Sequence, residues 1–462
     1  MKNRKRYLTG IILAAVLLCT SCGKAPNESA VPGETTSVPG TSAPAPATEP
    51  ESTAVPTDTE STSVPADTET APGSATAGLP VNPLIPAQRI SVYRNGLNQN
   101  FHLSETGIYC LSKEKAGVFI LYCDADSDEF IKVCGRPDCL HHDETCDAFL
   151  DDTMIPSMGY YNGKIYYIKG REEIISSTPG EPAKLTPHTL MRMDADGRNK
   201  QELTYCYEEG EDYAGWASVG YSNGIVECCF SSVGADGQVV YTRMFTRLED
   251  PGYFIPSAIN SELPSELREP YGGIYSGAEG RILLSGGPDE EKEKLYLWDY
   301  DGNSVSLIGN KPMGPGTFTA GTGYYMDGGT VMQWDYEKQE GTPLFDTGFE
   351  APLALAAFPD CFAVYDNRGV VMPGEPDVTS AAVRFYSWDF EQLGECELQL
   401  GERSGGIRLY GNYVFGETET RILLVKDALN SLLPDYYIEK ADFGTGSIPL
   451  HEYHYPLDMP VY

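Results

Sequence analysis

Leu190-Met191-Arg192-Met193-Asp194-Ala195-Asp196-Gly197 and, further along, Leu295-Tyr296-Leu297-Trp298-Asp299-Tyr300-Asp301-Gly302 share one phrase, a run of large residues ending in an acidic turn. Large and branched side chains suit the pleated, packed surface of a strand, while Asp and Gly suit the turn that ends it. Weaker copies stand at Leu121 to Asp126, Met332 to Glu337 and Phe385 to Glu391, with looser ones at Phe245 to Asp250 and Ile438 to Gly444. A second phrase precedes the copies, a strand that enters a Gly-containing turn and leaves again. Gly159-Tyr160-Tyr161-Asn162-Gly163-Lys164-Ile165-Tyr166-Tyr167-Ile168 is the clearest case, and Gly220-Tyr221-Ser222-Asn223-Gly224-Ile225 repeats it. Asn-Gly between apolar runs signals a hairpin because both turn positions need positive φ.

Two hairpins make four strands per unit, and the units recur at roughly 35 to 70 residues, the spacing of propeller blades. The fold class expected is therefore all-β: a single β-propeller of about seven four-stranded blades, with six or eight as the adjacent possibilities. It occupies residues 81–462. A closed ring explains the regular spacing better than a solenoid or paired sandwiches do. Leu263 to Arg268 is one brief helical exception, and Arg89 to Arg94 is expected to supply the strand that completes the last blade.

The two ends of the chain read differently. Lys2, Arg4, Lys5 and Arg6 precede an apolar stretch from Tyr7 to Leu18, the layout of an export signal too short to span a bilayer. It runs into Leu18-Cys19-Thr20-Ser21-Cys22-Gly23, which resembles the bacterial lipobox, with Cys22 as the lipidated residue and residues 1–21 as the removed signal. Cys19 stands where that motif usually has Leu. A diacyl anchor on Cys22 would place the protein on the outer face of a cell membrane. Residues 22–80 carry Pro, Thr, Ser, Ala and Glu with almost no large apolar side chain, so they are expected to form a disordered, semi-stiff stalk.

The chain has 33 basic against 67 acidic residues, a net charge of -34, which excludes nucleic acid as a partner by repulsion. There is no GxSxG elbow, HExxH helix, P-loop or dinucleotide fingerprint. The acidic turns imitate part of a calcium loop but lack its later acidic ligand, so Asp capping its own backbone is the better reading.

The densest chemistry is Cys134-Gly135-Arg136-Pro137-Asp138-Cys139-Leu140-His141-His142-Asp143-Glu144-Thr145-Cys146, expected in the connection from the first unit to the second. Three thiols and an imidazole can wrap one tetrahedral ion, and the expected ligands are Cys134, Cys139, His141 and Cys146, with zinc as the metal. A disulfide-stapled loop, for example Cys139 with Cys146 and Cys134 with a partner elsewhere, is one alternative, and free thiols are the other. Ten cysteines remain once Cys19 and Cys22 are set aside.

This Cys-x4-Cys-x-His segment ending in Cys, behind a lipobox and a low-complexity stalk, resembles a group of uncharacterised propeller-type surface lipoproteins of anaerobic Gram-positive (clostridial) bacteria. The resemblance implies location and fold and hands over no catalytic residues; an anaerobic source would favour metal in the Cys loop. The function expected is binding or sensing of an extracellular glycan, peptide or partner protein by the propeller, with a structural Cys/His loop. The alternative is an enzyme, a glycoside hydrolase or lyase, acting on extracellular polysaccharide through carboxylates at the central channel.

Overall fold

In the computed structural model the chain divides into Met1–Gly73 and Ser74–Tyr462. The structure describes Leu79, Pro80, Asn82 and most of 101–456, apart from loop stretches of which 151–156, 175–183, 207–214, 250–263, 268–273, 372–378, 401–407 and 427–432 are the longest. The expected signal, Cys22, the expected stalk up to 78 and the expected strand from Arg89 to Arg94 lie outside the described residues, as does all of Leu263 to Arg268 except Pro264 and Leu267.

Seven antiparallel sheets form the blades of a β-propeller, with almost no helix. Blade 1 comprises Phe101–Leu103, Gly107–Glu114 and Gly117–Asp124, closed by an outer strand in two halves, Ile131–Lys132 and Phe149–Leu150. Blade 2 comprises Met158–Tyr161, Lys164–Lys169, Thr189–Asp194 and Gln201–Tyr205. Blade 3 shows three strands among the described residues, Gly215–Ser222, Ile225–Val233 and Val239–Arg247. Blade 4 runs from Ile274 to Asn310, blade 5 from Gly316 to Asp346, blade 6 from Leu353 to Gln399 and blade 7 from Val414 to Glu452.

The two recurring phrases fall into place as parts of one blade. The Asn-Gly phrase is the hairpin joining a first strand to a second, and Asn162 and Gly163 do take positive φ, 48° and 71°. The acidic phrase is the third strand with the turn that follows it, as at Thr189–Asp194 and Lys294–Asp299. Because strands alternate in direction, both kinds of turn lie at the same end of every blade.

Strand alternation also explains why these runs are apolar without a break, since each blade is covered on both faces. In blade 1, Ile108, Cys110, Leu121 and Cys123 pack toward blade 7, while Tyr109, Leu111, Val118 and Ile120 pack toward blade 2. In blade 6, Leu353, Leu355, Phe362 and Val364 pack toward blade 5, while Ala354, Ala356, Ala363 and Tyr365 pack toward blade 7. One apolar cluster bridges each successive pair of blades, and the cluster of Ile108, Leu121, Leu423, Val425 and Tyr437 joins the last blade to the first. From blade 1 through blade 6 the first strand of each blade touches that of the next, so these strands line the axis.

The ring closes through backbone as well as packing. The His454 N–H donates to the Asp128 carbonyl at 2.7 Å, and the Phe130 N–H donates to the His454 carbonyl at 2.8 Å. Arg421, 7% exposed, adds its guanidinium to the Ser127 carbonyl at 2.6 Å and to Glu439 at 2.8 Å. Beside it, Lys440 opens the turn after Tyr436–Glu439 and buries its ammonium between Glu417 at 2.8 Å and Asp360 at 3.0 Å, which ties blade 7 to the first turn of blade 6. Ahead of the first blade, the Asn82 N–H donates to the Pro359 carbonyl at 2.8 Å, and Leu79 packs on the cluster between blades 6 and 7.

Candidate metal centre

The Cys/His loop does not join blade 1 to blade 2, as its position after the first unit suggests; it interrupts the outer strand of blade 1. Ile131–Lys132 pairs with Tyr122 and Leu121, and Phe149–Leu150 resumes the same edge opposite Phe119 and Val118. Between them, Ile120 holds both ends of the excursion, its carbonyl accepting from the Val133 N–H at 3.0 Å and its N–H donating to the Ala148 carbonyl at 2.9 Å. Residues 133–148 are therefore an insertion whose neck is pinned by one residue of the neighbouring strand. Blade membership becomes visible only through this register.

Val133, Cys146 and Ala148 at the neck are buried in the cluster between blades 1 and 2, with Cys134 and Cys139 packed on its margin. Two turns shape the loop, Arg136 carbonyl to Cys139 N–H at 3.3 Å and Asp143 carbonyl to Cys146 N–H at 3.1 Å. Asp143 stiffens the second by accepting from the Thr145 N–H at 2.9 Å. His141 takes a left-handed backbone, φ 57°, which a non-glycine residue adopts only when its surroundings demand it. The demand is local: its N–H donates to Cys139 Sγ at 3.4 Å, and its carbonyl accepts from the buried Lys132 ammonium, itself paired with Glu114 at 2.8 Å.

The donor atoms of Cys134, Cys139, His141 and Cys146 all lie within 4.8 Å of one another. A tetrahedral zinc with Zn–S of about 2.3 Å and Zn–N of about 2.0–2.1 Å sets neighbouring S and N roughly 3.6 Å apart and neighbouring sulfurs roughly 3.8 Å apart. Cys146 Sγ and His141 Nδ1 stand 3.5 Å apart. The expected four-residue set is thus the one brought together, and His141 rather than the exposed His142 belongs to it. All ten cysteines among the described residues are free thiols.

Three thiolates around a divalent ion leave a net negative charge, and Arg136 answers it, lying 3.4 Å from Cys139 Sγ and 3.3 Å from Asp147. That guanidinium, aided by the His141 N–H and the neighbouring thiols, holds the Cys139 thiol below the usual thiol range against the effect of its surroundings. Cys146 behaves oppositely: burial pushes it up to about 12, with the nearby Cys139 and Cys134 adding to the effect. A metal ion would reverse that balance by binding the thiolate.

The acidic turn of blade 2 seats the loop. Gly197, φ 86°, lies so close that an added Cβ would come 2.7 Å from the Val133 carbonyl and 2.9 Å from the Asp147 carbonyl. Its carboxylates are already engaged, Asp194 by Lys164 at 2.6 Å and by Asn199, and Asp196 by Arg198 at 2.7 Å, which fits backbone capping and ion pairing rather than calcium. Gly197→Ala is expected to destabilise by about 2–3 kcal/mol, since it adds a carbonyl clash to the cost of the left-handed backbone. Gly163→Ala, φ 71° with nothing within 4 Å, should lose only about 1 kcal/mol. Equal losses in thermal melts would mean that Gly197 does not seat the loop.

Sequence reasoning named the ligands but not their supports. Arg136, between two cysteines, was the legible signal within the loop; Gly197 was legible only as a turn residue, and Lys132 carries no signal.

No family model matches the chain, and no curated protein matches it. Solved structures similar to it include a puromycin-hydrolyzing peptidase of Mycobacterium tuberculosis, at 10% identity and TM-score 0.44, covering 83% of this chain and 57% of that one. TolB from Acinetobacter baumannii follows at 12% identity and TM-score 0.30, covering 64% of each chain. One of two prolyl endopeptidases matches at 10% identity and TM-score 0.39, covering 78% of this chain and 50% of that one. The chain thus spans between half and just under two thirds of the length of these proteins. The seven sheets and their ring of contacts, rather than these likenesses, define the propeller.

Proposed function

We propose that the chain is a lipid-anchored lipoprotein of the extracytoplasmic membrane face, whose propeller binds or senses an extracellular glycan, peptide or partner protein while zinc holds the Cys/His loop. The observation that carries this reading is the closed character of the donor set. Four protein ligands fill a tetrahedral zinc and leave no position for a reacting molecule, the mark of a structural rather than a catalytic site. The set also sits on the outer strand of a blade, away from the first strands that line the axis, where propeller ligands are usually received. Near those first strands, the carboxylates of Asp360 and Glu417 are already paired with Lys440. In this reading zinc supplies the cross-link, and Ile120, Arg136 and Gly197 supply the frame.

The location is tested on the whole protein expressed in a Gram-positive host. Wild type is expected in the membrane fraction and labelled by an alkynyl fatty acid, and Cys22→Ser is expected to be unlabelled and released. Fatty-acid labelling of Cys22→Ser, or an unlabelled wild type, would overturn the anchor. For the binding role, the released Cys22→Ser protein is applied to immobilised cell-wall glycans and washed envelope; saturable retention supports it, and turnover of polysaccharide would replace it with the enzymatic alternative.

A further inference from the structure

The sulfur donors of the Cys/His loop differ in what solvent reaches. Cys146 is 1% exposed in the cluster between blades 1 and 2, whereas Cys134 and Cys139 are only half-buried on its margin. The three sulfurs lie within 4.8 Å of one another as free thiols. Between the outer two, the turn from the Arg136 carbonyl to the Cys139 N–H folds the chain back on itself. Zinc has no redox chemistry of its own, but thiolates do, and these two stand where an oxidant arrives. We infer that the centre is a redox switch, in which oxidation joins Cys134 to Cys139, expels the zinc and frees residues 135–145 while the propeller stays closed. The inference rests on the zinc reading proposed above and adds the regulation of that site.

The oxidant is hydrogen peroxide. One of the two thiolates attacks a peroxide oxygen, breaks the O–O bond and becomes a sulfenic acid as hydroxide departs. The other thiolate attacks that sulfur, completes the S–S bond and expels a second hydroxide. Two electrons pass from the sulfurs to the peroxide, and both hydroxides take protons from solvent and leave as water. Cys146 and His141 remain, and two protein ligands do not make the four of a structural zinc site. The bond is also linked to a movement. The left-handed backbone of His141, φ 57°, is held in part by its N–H donating to Cys139 Sγ at 3.4 Å, and a disulfide sulfur accepts more weakly than a thiolate. The strained backbone then favours rearrangement, and Leu140, 78% exposed between these two residues, moves with it. The blade does not follow, because the neck is held by the backbone of Ile120 bonded to Val133 and Ala148, with no part played by the metal.

The full chain is loaded with zinc, freed of excess metal and titrated with hydrogen peroxide while a chromogenic chelator reads the zinc released. Samples are alkylated under denaturing conditions, cut with a protease that cleaves ahead of aspartate and mapped by mass spectrometry. Cuts ahead of Asp128, Asp138 and Asp143 put Cys134, Cys139 and Cys146 on three different peptides. The expected result is release of about one zinc per chain in step with a Cys134–Cys139 cross-linked peptide, with Cys146 alkylated throughout. A phosphine with added zinc should reverse both changes. Proteolysis within 135–145 should quicken by about tenfold on oxidation, with the circular dichroism of the propeller unchanged. Absence of zinc before any peroxide is added would overturn the zinc reading and this inference with it. Zinc that stays bound under peroxide, or release with a cross-link to Cys146, would overturn the inference and leave the zinc reading standing. Cys134→His keeps four donors and removes the pair, so it should hold its zinc at doses that empty the wild type. Release at the wild-type rate would also overturn the pairing, and if the variant binds no zinc the wild-type map still decides.

Discussion

Replacing Cys146 by Ala is expected to abolish binding of the one zinc that each wild-type chain should carry. Cys146 is 1% exposed and belongs to the apolar cluster between blades 1 and 2, so it ties the metal to the core where Cys134 and Cys139 tie it to the loop. Its loss removes one of four ligands and opens the cross-link across residues 134–146. Closing a loop of about 15 residues is worth roughly 3 kcal/mol when the link is covalent, which bounds the effect of losing the metal link. Cys146→Ser should cost about 1–3 kcal/mol beyond that, because it leaves a hydroxyl in the apolar cluster without an assured partner. Elemental mass spectrometry with a thiol count checks the first point, and limited proteolysis of 133–148 with and without chelator checks the second. Wild type purified without chelator that carries no zinc and shows its three loop thiols oxidised would replace the metal with a disulfide staple.

Lys440→Met is expected to destabilise the propeller by about 3–5 kcal/mol, the range for removing one partner of a buried ion pair. The Lys440 side chain is 4% exposed and that of Glu417 6%, so the carboxylate left behind could not recover its lost partner from solvent. Changing Glu417 to Gln and Asp360 to Asn in the same protein should restore much of the loss, since the cost lies in the orphaned charge. The pH dependence has a definite sign. Burial opposes the ammonium, but Glu417 and Asp360 outweigh it and hold the pKa above the ordinary lysine value. A group whose folded pKa is raised contributes its full stabilisation below the unfolded pKa, about 10.5, and loses it as pH rises through the folded value. The melting-temperature gap between wild type and Lys440→Met should therefore hold from neutral pH to about 10 and narrow above that. A gap already closing near pH 8 would show that the pair contributes little.

Much of the fold was legible because a propeller is written as a local repeat. Asn162-Gly163 specifies its turn by backbone conformation alone, and Leu295 to Gly302 specifies a strand and its end by side-chain size and turn chemistry. Ring closure was not legible. The latch among Asp128, Phe130 and His454 is made of backbone hydrogen bonds between residues at opposite ends of the domain, and backbone groups look the same in every sequence. The Cys loop was misplaced for a related reason: two short strand halves such as Ile131–Lys132 and Phe149–Leu150 carry no pattern of their own.

Residue types and short spacings by themselves determined the all-β class, the blade repeat and the four metal-ligand candidates, because turn chemistry, strand alternation and thiol density act over a few residues. Only the tertiary structure decided that these ligands converge and that the loop grows from the outer edge of blade 1. Arg136 acts within the loop, while Ile120, Lys132 and Gly197 impose that arrangement through contacts between different strands and, for Gly197, between blades. Convergence of this kind depends on register and packing between distant segments, and neither is encoded in any one stretch of the chain.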